Sequence, residues 1–371
     1  MFKITCSIKK KIFINISDVA SYIGQNKWDF VKPFERLWKK CDSVNYQNIL
    51  SNYNDKISVI KLHKSDLDVK KISLEQELQQ KLITKRQFDI QVKKLDKQFQ
   101  EIKNTISDLE SKIDSIDLTH HQQMEKIVGS TIMDSIQSAT IDTNDKRIML
   151  NTKVDTLDLD DTQKDKLKKS AESYINKTHG TLKEDSAIVM YENKFGVKLD
   201  TSQQFNKVYL YELSIESNYD WFLCGKVDGL YVNHVNPQES YIVEVKNRTK
   251  SFFSTLRDYE KTQIQLYMYM LNYNNTKLVE KYKDSLRITS IYKDDEYAND
   301  IINYLQIFIK NFETKFLNSE SCKIEFFDKT DDEKRAYLKK LYLNDITKYI
   351  NSKLEKEVIS EQDTCMIDDL D

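Results

Sequence analysis

Two acidic residues and one lysine form a sequence pattern that could hold a metal ion. Glu244 and Lys246 stand two residues apart in the apolar segment 241–246, and Asp228 lies in the earlier segment 225–230. Because side chains alternate along a strand, Glu244 and Lys246 are expected on one face. If the two segments pair, Asp228 brings a second carboxylate to that face, which is the minimum needed to hold a hard divalent cation through oxygen ligands.

The surroundings of these charges favour a site over a solvated surface. A glutamate and a lysine two apart on a strand are usually an exposed face or a cross-strand ion pair. Here the charges lie inside apolar segments, where an unpaired charge is costly. Gly225 and Gly229 also flank Asp228, and glycines allow a close approach of the backbone to a ligand.

The elements that must position these residues predict an α+β fold. Alternation of apolar and polar residues predicts strands near 12–16, 207–213, 219–224, 227–230, 241–246 and 286–292. Helices are predicted near 17–24, 33–40, 161–175, 180–196, from Asp258, and at 299–317 and 331–356. A helix followed by a meander of strands is typical of α+β folds, and not of regular βαβ winding.

A charged segment without Gly or Pro, at about 65–118, predicts a coiled coil. Its apolar residues keep alternating steps of four and three at Phe88, Val92, Leu95, Phe99, Ile102, Ile106, Leu109, Ile113 and Ile116. A second apolar stripe precedes it, and the register breaks near Thr84. An antiparallel hairpin is therefore preferred to one long dimerising helix, and both alternatives stay open.

Composition bounds the location and the partners. The net charge of −2 excludes a globally basic nucleic-acid coat protein, but it leaves room for a local basic patch. The five cysteines have no Cys-x-x-Cys spacing, which argues against a disulfide framework or a zinc ribbon and favours a reducing compartment. No signal peptide or membrane span is expected. The prediction is a soluble intracellular protein, in the host cytoplasm or nucleus if viral, without a membrane partner.

Two helices offer further polar candidates. Ser17 stands near the start of the first predicted helix, where it is either an ordinary cap or part of an anion site. Glu184, Ala187 and Tyr191 fall on one line of a later helix, so the carboxylate faces either the interior or the water at the helix edge.

The segment after Lys246 is basic and leads into another helix. It contains Arg248 and Lys250, which are candidates for contacts with DNA. The following helix has Gln263 and Tyr267 four residues apart, and a second such pair offset by two residues. One pair can face the site while the other faces outward.

Together these motifs resemble the PD-(D/E)XK nuclease superfamily, and more closely its phage lambda exonuclease branch, the YqaJ-type viral recombinase nucleases. The motifs occur in the family's order as Ser17-x-Val19-Ala20…Gly24, Gly180-x-x-x-Glu184-x-x-Ala187…Tyr191, Val227-Asp228-Gly229-Leu230, Glu244-Val245-Lys246 and Gln263-x-x-x-Tyr267. Val227 stands where the superfamily's name has proline. The resemblance implies a restriction-endonuclease-like mixed sheet flanked by helices, with the coiled-coil segment as an insertion.

The resemblance also implies a role for each site residue. Asp228 and Glu244 would be metal ligands, with the Val245 carbonyl as a third, and Glu184 would complete the acidic site. Lys246 would orient or deprotonate the attacking water and stabilise charge on the phosphate, with its pKa lowered near the metal. The residues implied or predicted to contact DNA are Ser17, Arg248, Lys250, Gln263 and Tyr267. Mg²⁺ is the expected cofactor, with Mn²⁺ as an alternative.

The sequence thus predicts a Mg²⁺-dependent deoxyribonuclease, with exonuclease action on linear duplex DNA favoured, in viral or phage-like recombination or replication. The alternatives are an endonuclease with the same site, or a non-catalytic DNA-binding or assembly module. The coiled coil would recruit a partner such as a single-strand annealing protein, or a second copy of the chain. Four segments are predicted: nuclease residues 1–50, the helical insertion 51–165, the nuclease core 166–320, and a C-terminal helix with an acidic tail, 321–371.

Overall fold

The computed structural model describes residues 9–117, 120–138 and 140–365. The chain divides into two compact units. The first combines the residues up to Cys41 with those from Asn176 onward, and the second is Asp42–Ile175. Within the described residues, none of the helices combines the length and the apolar character that crossing a membrane requires.

The strands of the first unit form two mixed sheets. They are β1 Lys10–Asn15, β2 Asn206–Tyr209, β3 Tyr219–Gly225, β4 Gly229–Tyr231, β5 Tyr241–Asn247, β6 Asn275–Tyr282 and β7 Ser285–Tyr292. The first sheet has the order β1-β3-β2, with β1 parallel and β2 antiparallel to β3. The second has the order β4-β5-β6-β7, with only β5 and β6 parallel.

Helices account for most of the remaining described chain. They are α1 Ile16–Tyr22, α2 Val31–Cys41, α3 Ser43–Gln79, α4 Lys85–Asp117, α5 His120–Val128, α6 Ser130–Gln137, α7 Thr143–Asp155, α8 Asp161–Phe195, α9 Tyr211–Ser214, α10 Asp258–Leu271, α11 Asp295–Asn311, α12 Glu320–Asp328, α13 Asp331–Leu338 and α14 Asn344–Cys365. A 3-10 turn, Pro237–Glu239, and two π-helical segments, Phe312–Leu317 and Lys339–Leu343, complete the elements. Mixed sheets flanked by helices confirm the predicted α+β class.

The central strand β6 is not predicted from the sequence. Its side chains Thr276, Leu278, Val279 and Glu280 are all buried. Polar and apolar residues occur on both faces of this strand, so the alternation that marks a half-exposed strand is missing. Because β6 pairs directly with β5, it lies beside Glu244 and Lys246.

The sheet around β5 separates apolar from polar residues as the alternation predicts. Val243 and Val245 pack with Ala187, Ile188 and Tyr191 of α8. Glu244 and Lys246 point to the opposite face, where α10 lies. The two helices therefore cover the two faces of the strand that holds the charged residues.

Helix α8 continues through Gly180, where the sequence predicts the start of a new helix. The Gly180 carbonyl accepts a hydrogen bond from Asn247 Nδ2 (3.0 Å), which ties α8 to the end of β5. Tertiary contacts of this kind outweigh the roughly 1 kcal/mol by which glycine disfavours a helix interior.

In the second unit, α3 and α4 form an antiparallel hairpin. Lys61 pairs with Glu110 (2.9 Å) and Lys71 with Asp96 (3.0 Å), so residues further along α3 meet residues earlier in α4. The buried residues between the helices are Leu67, Leu74 and Leu95. The structure thus has the hairpin alternative and not a single long helix.

Candidate functional site

Asp228 reaches the site from the short link between β3 and β4. It precedes β4, which the sequence predicts to begin before it, and β4 pairs antiparallel to β5 with Gly229 opposite Val243. Asp228 Oδ2 accepts a hydrogen bond from the Val245 backbone N–H at 2.7 Å. This bond fixes the first carboxylate against the strand that carries the second.

Glu244, Lys246 and Gln263 form a closed set of hydrogen bonds. Glu244 is only 2% exposed, and its Oε1 accepts from Lys246 Nζ (2.6 Å) and from Gln263 Nε2 (2.9 Å). Lys246 Nζ also donates to Gln263 Oε1 at 3.4 Å. The side-chain amide of Gln263, which lies on α10, therefore holds both charged side chains of β5 in place.

The second carboxylate oxygen of Glu244 has no hydrogen-bond partner among the described residues. Oε2 is buried, and no donor in that part of the chain bonds to it. A buried, unpaired carboxylate oxygen costs more free energy than a neutral one, so it calls for a physical explanation such as a bound ion. The atom is a ready ligand for a hard cation.

Crowding of carboxylates makes the site attractive to positive charge. Burial, together with the nearby charge of Asp228, raises the pKa of Glu244 to about 7 despite the ion pair with Lys246. Burial also raises the pKa of Asp228 to about 6, again against the effect of Lys246 and with a further contribution from Glu184. Each shift means that the ionised carboxylates lack compensation, which a bound cation would supply.

Lys246 is held in its charged form. Burial alone lowers the pKa of its ammonium, but the charges of Glu244 and Asp228 outweigh burial and raise it. The sequence predicts a lowered pKa beside a metal, whereas the chain by itself places the lysine between carboxylates. In this arrangement Lys246 is a cation and donates hydrogen bonds to Glu244 and Gln263. Its action on the attacking water stays a prediction.

Glu184 joins the same cluster from α8. Its side chain is half-buried, contributes to raising the pKa of Asp228, and accepts a hydrogen bond from Gln203 Nε2 (2.7 Å). Burial and the charge of Glu244 raise the pKa of its carboxyl. The carboxylate thus faces the site and not bulk water alone. Gln203 is a contact that the sequence does not single out.

The donor set fits a cation with an incomplete protein shell. Among residues 9–117, 120–138 and 140–365, no group of three or more His, Cys, Asp or Glu side chains is arranged to hold a metal ion. A cation here would depend on Asp228, the free oxygen of Glu244, a backbone carbonyl such as that of Val245, and water. Mg²⁺ is usually bound in this way, by one or two carboxylates and several waters.

Tyr267 and Gly225 complete the wall formed by α10. Gln263 Nε2 approaches the Tyr267 hydroxyl at 3.4 Å, and burial raises the pKa of that hydroxyl. A Cβ atom on Gly225 would lie 2.8 Å from the Tyr267 ring, so only glycine lets the ring reach this position. The second Gln-x-x-x-Tyr pair does not share the site, because Gln265 bonds the backbone at Tyr292 and Asp294.

Arg248 is not available for the DNA contact that the sequence predicts. Its side chain is 8% exposed and forms two bonds to Glu260, at 2.7 and 3.1 Å, and one to Glu280 at 2.7 Å. Arg287 also pairs with Glu280. The guanidinium stacks over Phe253 at 3.9 Å. Because Glu280 lies on the unpredicted strand β6, nothing in the local sequence reveals this network.

The two remaining predicted DNA contacts lie on the surface. Ser17 is exposed in the first turn of α1, and the N-cap of that helix is Asn15 and not Ser17. Lys250 is exposed in the segment between β5 and α10. Their contacts with DNA stay predictions.

No protein-family model matches the sequence, and no curated protein matches it either. Three solved structures are similar in part, each with a TM-score of 0.28. One is SSO0001, 13% identical over 52% of this chain and 91% of that one. The others are an alkaline exonuclease from Laribacter hongkongensis, 12% identical over 58% and 98%, and the same enzyme with dAMP, 14% identical over 55% and 97%. The similarity is slight, and the residues of the site carry the functional argument.

Proposed function

We propose that the chain is a metal-dependent DNA nuclease of the PD-(D/E)XK type that hydrolyses phosphodiester bonds, with exonuclease action on linear duplex ends favoured. One observation supports this above the others. Glu244 has one oxygen held by Lys246 and Gln263 and the other buried without a partner, next to the anchored carboxylate of Asp228. A solvated charge pair would have neither feature.

Asp228, Glu244 and the Val245 carbonyl would hold Mg²⁺ or Mn²⁺. Bound there, the ion would neutralise charge on the phosphoryl oxygens and lower the pKa of a water nucleophile. The chemistry of the donors fits, because hard oxygen ligands and a small number of carboxylates suit these ions.

The chain's own residues prepare the site for an anionic substrate. Lys246 is a charged donor that would bind a phosphate oxygen and stabilise negative charge that develops on it. Gln263 fixes the directions of Lys246 and Glu244 together, and the Val245 N–H fixes Asp228. Glu184 adds a third carboxylate beside Asp228 and would complete the acidic site.

The α3–α4 hairpin is proposed to serve association and not cleavage. Its surface is charged and exposes apolar side chains such as Leu62 and Val69, and the carboxylate cluster lies wholly in the first unit. A second copy of the chain or a single-strand annealing protein, within intracellular recombination or replication, would be the partner.

The test is a cleavage assay on end-labelled linear and closed-circular duplex DNA. The purified full chain is incubated with Mg²⁺, Mn²⁺ or EDTA, beside Lys246→Ala and the control Lys277→Ala. Lys277 lies on the neighbouring strand β6, where its ammonium bonds Ser290 Oγ at an exposed position. Loss of Lys246 is expected to reduce the rate by about 10²–10³-fold, as for other donors to a developing charge. The control should retain the wild-type rate.

The pattern of products separates the alternatives. Degradation of the linear form alone, lost with EDTA and in Lys246→Ala, supports the exonuclease. Nicking of the circle supports the endonuclease. DNA binding with no metal-dependent cleavage contradicts the proposal and favours an assembly module. Cleavage that Lys246→Ala leaves unchanged contradicts the proposed role of this site.

A further inference from the structure

The sheet β1-β3-β2 has a face that is rich in aromatic rings. On its inner face Ile12, Ile14, Trp221 and Leu223 are buried. On the outer face Phe13 of β1 lies opposite Phe222 of β3, and Tyr209 of β2 lies opposite Phe222 from the other side. Three rings therefore stand at one register position and form a row across the full width of the sheet.

The rings of this row contact one another and continue at both ends. Phe13 and Phe222 stack with centroids 5.2 Å apart, and Tyr209 lies 5.1 Å from Phe222. Phe205 contacts Phe13, and Tyr211 contacts Tyr209. Tyr209, Phe205 and Tyr211 are 41%, 56% and 67% exposed. We name these five residues the aromatic row.

Packing within the chain does not account for this exposure. Cross-strand pairing explains the contacts among Phe13, Phe222 and Tyr209, but not the exposed rings of Phe205 and Tyr211, which lie outside the strands. Contiguous exposed apolar surface usually marks a place where another molecule binds. The aromatic row is such a surface, and all five residues belong to the first unit.

Lysines surround the aromatic row. Lys207 on β2 holds its ammonium 5.8 Å from the Phe13 centroid and 6.0 Å from that of Phe222. Lys40 donates to the Phe13 carbonyl (3.2 Å), and Lys11 is exposed on the same face of β1. Asp220 also lies on this face, where it accepts a hydrogen bond from the Tyr209 hydroxyl at 3.3 Å. The cations beside the rings would attract a polyanion.

We propose that the aromatic row is a stacking platform for single-stranded nucleic acid. Exposed π-faces are what unpaired bases stack on, and lysines interleaved with them bind the phosphates that join those bases. A base stacked on Phe13 and Phe222 would displace the flexible Lys207 ammonium, which would then bind the phosphate of the same nucleotide. A duplex hides its bases, and an apolar protein partner would gain nothing from the lysines, so the combination favours a single strand.

The aromatic row and the candidate site belong to the same unit. Strand β3 carries Phe222 and ends at Gly225, three residues before Asp228. The binding itself does not rest on the proposed nuclease function, since stacking needs neither a metal nor cleavage.

Fluorescence anisotropy of the full chain in EDTA tests the platform. The probes are a labelled oligothymidylate of about 15 nucleotides, within the site sizes of known single-strand binders, and a duplex of the same length. Tyr209→Ala combined with Phe205→Ala removes two exposed rings, and Tyr209→Phe with Phe205→Tyr keeps both. Tyr292→Ala is the matched control, because Tyr292 is 70% exposed on the other sheet.

The double alanine variant should lose at least about tenfold in affinity for the oligothymidylate, from the stacking contribution of each base. The ring-preserving variant and the control should bind like the wild type, and duplex affinity should change little. Unchanged oligothymidylate affinity in a folded alanine variant overturns the proposal and leaves the face to a protein partner. Equal losses for both probes also overturn it.

Failure of the platform and failure of the nuclease are distinguishable. The anisotropy assay in EDTA measures binding alone, and the cleavage assay with Mg²⁺ measures the nuclease alone. If the protein binds oligothymidylate through the row but never cleaves DNA, only the nuclease proposal is contradicted. If it cleaves DNA but the double alanine substitution leaves its oligothymidylate affinity unchanged, only the platform proposal is contradicted.

Discussion

Glu244 has two oxygens with different surroundings, and this difference determines how the residue should respond to a cation. Oε1 is saturated by Lys246 and Gln263, while Oε2 is buried without a donor. Three carboxylates, counting Asp228 and Glu184, share one ammonium. A ligand that binds only the folded state stabilises it, so a cation at Oε2 should appear in the unfolding equilibrium.

Mg²⁺ should therefore raise the unfolding temperature of the wild-type chain but not that of Glu244→Gln. At 100 times the Kd, the expected stabilisation of the wild type is about 2.7 kcal/mol. Thermal unfolding with and without Mg²⁺ measures it. Glu239→Gln is the control, because that carboxylate is exposed and bonds only the nearby Asn233 and Asn236. If Mg²⁺ raised the unfolding temperature of Glu244→Gln as much as that of the wild type, Oε2 would not be a metal ligand.

Arg248 and Lys250 are two residues apart, yet their substitutions should have opposite consequences. Arg248→Met leaves Glu260 and Glu280 buried without their main partner, which should cost about 3–5 kcal/mol of the free energy of unfolding. Lys250→Ala should change stability by less than about 0.5 kcal/mol. It should instead weaken DNA affinity and reduce its dependence on salt.

Urea unfolding and DNA titration at several salt concentrations measure both effects. The DNA affinity of the folded Arg248→Met protein should match that of the wild type. If Arg248→Met unfolds at the wild-type urea concentration, or if it alone loses DNA affinity, the ion-pair network is not the residue's role.

At the scale of elements, the site depends on how closely α10 approaches β3 and β5. Gln263 bonds two side chains of β5, and the Tyr267 ring lies over the backbone of Gly225. One helix thus aligns the ends of strands from both sheets. A side chain at Gly225 would force the helix or the ring outward, and the hydrogen bonds of Gln263 would lengthen with it.

Two glycine substitutions should differ in sign. Gly225→Ala brings a methyl group 2.8 Å from the buried Tyr267 ring, and overpacking of this kind costs about 1–3 kcal/mol. Gly180→Ala meets no atom within 4 Å in the interior of α8, so it should stabilise the chain by about 0.5–1 kcal/mol. The backbone bond from Asn247 to Gly180 is kept.

Denaturant unfolding of the two variants gives both values. Tyr267→Leu combined with Gly225→Ala should recover part of the loss, because it removes the clashing ring. A Gly225→Ala variant as stable as the wild type would show that the position of the Tyr267 ring does not require glycine at residue 225.

Local sequence predicts those elements in which polar and apolar residues recur at a regular period. The alternation of β5 places Glu244 and Lys246 on one face because one side of the strand packs on α8 and the other meets α10. Strand β6 carries no such alternation, because polar and apolar residues occur on both of its faces. The burial of Arg248 depends on Glu280 of β6, a residue 32 positions away, so no local pattern could reveal it. The α+β class was therefore predictable, while this ion-pair network was not.

At the scale of the whole molecule, the unit that holds the site is built from both ends of the chain. Lys10 of β1 pairs with Tyr219 of β3, although the whole second unit lies between them in the sequence. The carboxylate cluster, Gln263 and the aromatic row all belong to this discontinuous unit. The second unit has its own cores, one of them around Leu67, Leu74 and Leu95 of the hairpin. Each unit thus has the packing needed to keep its own structure.

Excision of the outer hairpin should leave metal-dependent cleavage intact. Lys61 and Glu110 face each other across α3 and α4, so replacing residues 62–109 by a short Gly-Ser linker cuts both helices at the same level. The apolar side chains exposed on the hairpin, such as Leu62, Val69 and Ile90, are then lost, and association through them should be lost too. Light scattering gives the mass of the full-length and excised proteins, and the linear-DNA assay gives their rates. The same linker inserted at the α3–α4 turn is the control, because it keeps both helices. A folded excised protein with no cleavage activity would place the hairpin within the catalytic machinery, and an unchanged mass would remove it from self-association.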